Sequence, residues 1–492
     1  LEALIMMRRG IVCLVVAALF APLLFAAEPK PAAKIRPYLF QSQKGDKVDA
    51  ELGTFSVPEN RENPESPRIE LAFVRFRSTA KKPGNPIVYL AGGPGGAGTG
   101  AAMSSRFPLF MALREVADVI AFDQRGTGMS ERAMPCSDPL QLPLEATTRE
   151  AVVKAYQAKS RECAEYYRDW QRADLRGYNT NQSADDLEAL RLVLGAKKLD
   201  LWAISYGTHL ALATIRRHPA SIGHAILAGT EGPDHTLKLP SNVDAHLAAI
   251  GEALRRDPEW SARIPDFVAL VREVLEKLDK EPVVAEVVDP TTKQKVRVPV
   301  NRFVMQAFTA ANMGTTTIRN YPLIYYAASK GDFTAMGQFW LAFTRQPIGN
   351  AMSMMMDCYS GATAGRRERI ASEAKTALMG NLADQVFPDV CDAWGNPDLG
   401  DAFRAPVRSD VPALFISGTL DGRTPISNAE EYAAGFPHAH HLILDGAVHS
   451  DPLFLSSPRI GETMMAFLRD EPLPARTTIA VEPLKWTPLP QR

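Results

Sequence analysis

Short apolar runs alternate with longer amphipathic stretches along most of this chain. Residues 49–58 and 69–77 read as two strands joined by a polar turn rich in Asn, Pro and Glu. Pro86-Ile87-Val88-Tyr89-Leu90 is a short buried strand that runs into Ala91-Gly92-Gly93-Pro94-Gly95-Gly96. Val119-Ile120-Ala121-Phe122 is the next, ending in Asp123-Gln124-Arg125-Gly126-Thr127-Gly128. Residues 151–169 predict an amphipathic helix. A second spans 183–194, opened by Ser183, with Asp185 and Asp186 in its first turn and Gly195 closing it. The run Leu199-Asp200-Leu201-Trp202-Ala203-Ile204 meets Ser205, and 209–217 follows as a helix. Strands are also predicted at 225–228, 412–416 and 441–444, with a closing helix from about 458 to 469.

Strands alternating with helices predict an α/β fold, a mostly parallel sheet with helices on both faces. From Glu231 to about Ala405 the texture changes. That segment is mostly helical, rich in Met, Trp and aromatic residues, with little strand pattern, and reads as a helical insertion between two strands of the sheet. The Pro- and Thr-rich stretch after 469 reads as a tail. The expected organisation is therefore a first core segment at 28–230, a helical cap at 231–405, and a second core segment with its tail at 406–492.

At 492 residues, with 46% hydrophobic and 23% charged positions, the chain has the composition of a large globular protein. A formal net charge of -1 argues against nucleic acid or an anionic membrane surface as partner. The first residues change the picture more. Arg8 and Arg9 precede an apolar run at 11–25 and then Ala26-Ala27, the form of an export signal cleaved after residue 27. An uncleaved anchor helix is the alternative, and the run is short for a span. Of the five cysteines, Cys13 lies in that segment. In an exported chain the others suggest disulfides, which could pair in three ways, and local pairing, Cys136 with Cys163 and Cys358 with Cys391, is the expectation. None has the spacing or His partners of a metal site.

Function in open parallel sheets collects at the carboxyl ends of strands. Gly93, Asp123, Ser205, Glu231, Asp421 and His449 all sit just past a predicted strand. Strand, Ser205 and helix have the form of a nucleophile elbow, with small residues at Ala203 and Gly207, although glycine is usual where Ala203 stands. A serine needs a base to take its proton and an acid to orient that base. Asp421 and His449 follow in the order Ser, Asp, His, which is the α/β-hydrolase order. Asp410 and Asp445 rival Asp421. His209, His218, His438, His440 and His441 sit less suitably than His449. A tetrahedral oxyanion needs backbone N–H donors, expected from Tyr206 and from Gly93, with Gly92 second. No Lys-Ser/Thr follows the glycines, so the Walker phosphate-loop pattern fails, and no metal or organic cofactor is expected.

Four strings carry a more specific likeness: Gly92-Gly93-Pro94-Gly95-Gly96, Asp123-Gln124-Arg125-Gly126-Thr127-Gly128-Met129-Ser130, Ser205-Tyr206-Gly207-Thr208, and Gly418-Thr419-Leu420-Asp421-Gly422-Arg423-Thr424-Pro425. Together they resemble the prolyl aminopeptidase and tripeptidyl aminopeptidase branch of the α/β-hydrolases. Cys358 and Cys391-Asp392-Ala393-Trp394 are similar to the carboxyl-terminal region of the tripeptidyl type, whose members are typically exported. The resemblance implies an α/β-hydrolase fold with an inserted helical cap. It also implies a serine exopeptidase acting on a peptide with a free N-terminus through an acyl-enzyme. Ala91 departs from the histidine usual in prolyl aminopeptidases. Asp123 and Arg125 are expected to be structural, by an ion pair or by hydrogen bonds that shape the loops. An exopeptidase must hold an ammonium group, and Glu231 is the first candidate carboxylate for it, Asp357 the second. The expectation is an exported enzyme, periplasmic or secreted, with no stable membrane span after signal cleavage. An esterase or lactonase using the same triad is the alternative, and a non-catalytic binding protein on the same fold is a further one.

Overall fold

A computed structural model describes residues 32–489. The expected signal segment, 1–27, lies outside them. The strands, in chain order, are β1 (Ala33–Gln41), β2 (Lys47–Pro58), β3 (Arg68–Phe76), β4 (Ile87–Leu90), β5 (Val119–Asp123), β6 (Pro135–Pro139), β7 (Leu199–Ser205), β8 (Ile222–Thr230), β9 (Val283–Val288), β10 (Lys295–Val300), β11 (Pro347–Asn350), β12 (Ala413–Gly418), β13 (Ala439–Asp445) and β14 (Arg476–Ala480). Ten of them form one sheet in the order β1-β2-β3-β5-β4-β7-β8-β12-β13-β14. The strands from β5 to β14 run parallel, and β3, β2 and β1 extend the sheet in antiparallel fashion.

The central strands are apolar at nearly every position because both faces are covered. Side chains alternate between two buried clusters. Val88, Leu90, Leu201, Ala203 and Leu227 face one, and Ile87, Tyr89, Trp202, Ile204 and Ile226 face the other. The first cluster runs on without a break into the helical block after β8, through Trp260, Tyr321 and Trp340. The second closes beneath the sheet against Phe107, Phe110, Phe454 and Phe467.

Several elements differ from the expectation, each for a physical reason. The helix expected from Ser183 spans Thr180–Val193, because Asn179 is the cap: its side chain accepts the Gln182 N–H at 3.0 Å. The stretch expected to be mostly helical holds the antiparallel hairpin β9–β10 and the short strand β11, which pairs with β6. Their alternation is short, and half of each hairpin strand faces water. The edge strands β1 and β14 are also additions. β1 is exposed along most of its length and carries Pro37, which an edge tolerates. The tail beyond β14 returns to the helical block: Leu484, Trp486 and Leu489 pack on its core, and the Thr487 N–H donates to the Arg319 carbonyl at 3.0 Å. Both disulfides join local partners, Cys136–Cys163 and Cys358–Cys391. Among the described residues no helix is long and apolar enough to cross a membrane.

Candidate active site

The chain leaves β4 for β5 on one side and returns to β7 on the other. Adjacent loops leave in opposite directions at that point, which opens a crevice at the strands' carboxyl ends. Ser205 stands on one lip and Gly92 and Gly93 on the other. Ser205 has φ 54° and ψ -128°, a conformation L residues rarely adopt, between β7 and the Tyr206–Arg217 helix. The turn is tight enough that a Cβ on Gly207 would lie 2.1 Å from the Leu90 carbonyl oxygen. Ala203, where glycine is usual, is fully buried within β7 and its methyl is accommodated there. A Cβ on Gly92 would lie 2.8 Å from Ser205 Cβ, so only glycine lets the two loops approach. Tyr206 opens its helix, so its N–H has no partner within that helix. Its ring points away into the core, where the hydroxyl meets Thr180 and Met356.

Asp421 follows β12, and His449 follows β13. His449 Nδ1 lies 2.7 Å from Asp421 Oδ2. The remaining acceptor capacity of the carboxylate is filled by the N–H groups of Arg423 and Thr424, both at 2.9 Å, and by the Thr424 hydroxyl at 2.7 Å. Burial works against this carboxylate. The His449 charge and hydrogen bond, with the Thr424 donors, outweigh burial and hold it below the usual aspartate range. The imidazole is 14% exposed and lines, with Ser205, Gly92 and Gly93, a cleft of about 400 Å³. No hydrogen bond joins the Ser205 and His449 side chains, and in serine hydrolases the contact between nucleophile and base tightens in the Michaelis complex.

Asp445, His209 and His441 are engaged elsewhere. Asp445 accepts from the Thr419 hydroxyl at 3.1 Å. His209 bridges the Gly232 carbonyl and the Ser360 hydroxyl, and burial lowers its pKa to about 4. His441 meets Ser417 at 3.0 Å. Asp123 and Arg125 do not pair with each other. Asp123 accepts from the Thr99 N–H and hydroxyl and from the Met129 N–H, at 2.9, 2.7 and 2.8 Å. Arg125, fully buried, makes a two-pronged ion pair with Asp186 at 2.7 and 2.8 Å and also donates to the Glu59 and Gly177 carbonyls.

The two acids considered for an ammonium group lie off the walls of the cleft. Glu231 directly follows β8 and is paired with Lys238 at 3.0 Å; burial opposes its charge, but Lys238 prevails and keeps it ionised. Asp357 lies on the Ala351–Ser360 helix. One turn earlier on that helix, Ser353 donates to the Pro94 carbonyl at 2.7 Å, and the Cys358–Cys391 disulfide fixes the far end. The Asp357 carboxyl receives no hydrogen bond among the described residues. Burial, reinforced by the Glu231 charge and opposed by Lys238 and Arg423, raises its pKa to about 8. Sequence reasoning missed Thr424, Lys238 and Ser353. Thr424 was discoverable: a residue three beyond an aspartate in a glycine-containing turn often donates back to it. Lys238 and Ser353 carried no signal. Among the described residues, no three His, Cys, Asp or Glu side chains converge as metal ligands would.

The chain is similar to two kinds of curated protein. One is the serine protease Hip1 of Mycobacterium tuberculosis, 30% identical over 188 residues, which are 37% of this chain and 36% of that protein. Another is a tripeptidyl aminopeptidase of Streptomyces coelicolor, 27% identical over 213 residues, 41% of this chain and 39% of that one. The chain thus matches a little over a third of the length of these curated relatives. Among solved structures, a proline iminopeptidase-related protein of Thermus thermophilus overlays 86% of this chain and 98% of its own, at 19% identity and a TM-score of 0.38. Residues 85–454, from the foot of β4 to beyond His449, match the family model of the alpha/beta hydrolase fold, and the chain belongs to that family.

Proposed function

We propose that the protein is an exported serine exopeptidase that hydrolyses peptides from a free N-terminus. The observation that carries this reading is the His449–Asp421 contact of 2.7 Å in the same cleft as a serine held at φ 54°. Ser205 attacks the scissile carbonyl carbon and His449 Nε2 takes its proton. Asp421 holds Nδ1–H, fixes the tautomer and stabilises the imidazolium. The carbonyl oxygen becomes an oxyanion facing the N–H groups of Tyr206 and Gly93. As the C–N bond breaks, His449 returns the proton to the leaving amine. Water then attacks the acyl-enzyme by the same steps, releasing the N-terminal fragment and restoring Ser205.

Likeness to a protease and a tripeptidyl aminopeptidase supports a peptide as substrate. The unpartnered Asp357 is the better candidate for the substrate ammonium, and Glu231, balanced by Lys238, is its electrostatic neighbour. Two disulfides support an oxidising compartment, hence export to periplasm or medium.

The test is turnover of aminoacyl and tripeptidyl chromogenic amides, of the same peptides N-acetylated, and of short acyl esters. Cleavage of free-amino peptides with little cleavage of acetylated ones is expected. Turnover of esters alone would identify an esterase and sink the peptidase reading.

A further inference from the structure

The cleft holds one ion pair that the reaction above does not use. Arg106 lies between the Gly98–Met103 and Phe107–Leu113 helices, on the segment that begins with the glycine loop. Asp451 lies two residues beyond His449. Both line the cleft with Ser205. Arg106 is only 7% exposed and sits between the rings of Tyr89 and Phe454, 5.8 and 5.2 Å from their centroids. Its Nε donates to Asp451 Oδ1 at 2.8 Å and a terminal nitrogen donates to the Ser450 hydroxyl at 3.1 Å. The other terminal nitrogen donates to the Tyr89 hydroxyl. The second oxygen of Asp451 accepts from the Ser105 hydroxyl. Ser450, directly after the imidazole, has φ +77°, a conformation that persists in a serine only where its surroundings enforce it.

We infer that Arg106 is a positioning residue: through Asp451 and Ser450 it staples the loop that carries His449 to the segment that carries Gly92 and Gly93. Three lines of geometry support it. The imidazole itself is anchored at Nδ1 alone, by Asp421 and the neighbouring Thr424 hydroxyl. The loop after His449 has no regular structure until Pro452, so its placement rests on side chains. The planar guanidinium reaches three acceptors in fixed directions, from strand β4 to the base loop, which a flexible ammonium cannot reproduce. The staple sets the distance between the group that moves the proton and the donors that receive the oxyanion. It rests on the reading of His449 as the base.

The experiment compares Arg106→Met, Arg106→Lys, Asp451→Asn and the Arg106→Met/Asp451→Asn double variant with wild type and His449→Ala, on the best chromogenic peptide amide. Methionine packs well against aromatic rings, so Arg106→Met keeps the site filled. Its kcat is expected to fall about 100-fold, the scale of a small misplacement, with KM within about twofold. Arg106→Lys should recover part of that loss. The double variant should lose no more than Arg106→Met alone, because the two residues act as one unit. Wild-type kcat in Arg106→Met beside an inactive His449→Ala would overturn the staple alone, as would losses that multiply in the double variant. Full activity in His449→Ala would overturn the reading of the base and the staple with it. Should Arg106→Met fail to fold, Asp451→Asn decides, since that side chain is 42% exposed and its loss leaves the core intact; a wild-type kcat there overturns the staple.

Discussion

Asp421 and Asp357 are both recessed carboxylates, and they are treated in opposite ways. Asp421, in the sheet's own framework, meets two N–H groups, a hydroxyl and an imidazole, and stays ionised despite burial. Asp357, on a helix of the inserted block, meets no donor among the described residues, and burial with the nearby Glu231 charge raises its pKa to about 8. The same side chain is thus complete in one place and unfinished in the other. A group that must act identically in each turnover is best preorganised with its partners in place. A group that recognises a ligand gains when the partner is supplied by the ligand. On the proposed function, the framework would carry the reaction and Asp357 would offer the open hydrogen-bonding capacity that a cationic substrate end fills.

The sharpest way to break this contrast is to remove the reaction centre. Ser205→Ala should lower kcat by about 10⁴- to 10⁶-fold, and Asp421→Asn by about 10⁴-fold, both with the fold retained by circular dichroism. Loss confined to KM would put these residues on the recognition side instead. Next in size, Asp357→Asn should raise KM for free-amino peptides by about 10- to 100-fold, the worth of a hydrogen bond to a charged group, and leave N-acetylated peptides unchanged. The sign of the pH effect follows. Asp357 is raised to about 8, so its binding-competent ionised form grows as pH rises toward that value. KM for free-amino peptides should fall over the same interval, and a flat KM profile would argue for Glu231.

Smaller effects test whether framework charges are matched throughout. A Cβ on Gly128, at φ +53°, would lie 2.2 Å from an Asp123 carboxylate oxygen. Gly128→Ala should therefore cost about 1–3 kcal/mol in urea unfolding, from strain at that backbone and a displaced acceptor. The smallest effect is at His224. Burial lowers its pKa, but hydrogen bonds and charge from Asp200 and then Asp470 overcome this and raise it from 6.5 to about 9. Its contribution to stability is complete below pH 6.5 and is lost as pH rises through about 9. The urea midpoint of wild type should fall across that window, and His224→Gln should remove that part of the slope.

Most of the framework was readable before any coordinates. The strands that bear Ser205, Asp421 and His449 are continuous apolar runs, and their loops carry the small residues that such crossings need. What stayed hidden has a common cause. β1 and β14 are edge strands with few buried positions, and β9, β10 and β11 are too short for a period to show. The cap at Asn179 was missed because Ser183, four residues on, offers the same chemistry. Arg106 acts through a partner far away in sequence, Asp451 being 345 positions from it. No local pattern encodes such a pair.

The order of strands also has a consequence for how the chain is made. β8 needs β12 at its free side, and β12 begins about 180 residues after β8 ends. At roughly 5–20 residues per second of synthesis, that apolar edge waits on the order of ten seconds or more for its neighbour. Every helix of the inserted block emerges in that interval, before the sheet can close. An open, uncharged strand edge is a template for pairing with other chains. The insertion between β8 and β12 therefore also sets the period over which the nascent chain needs protection from its own kind.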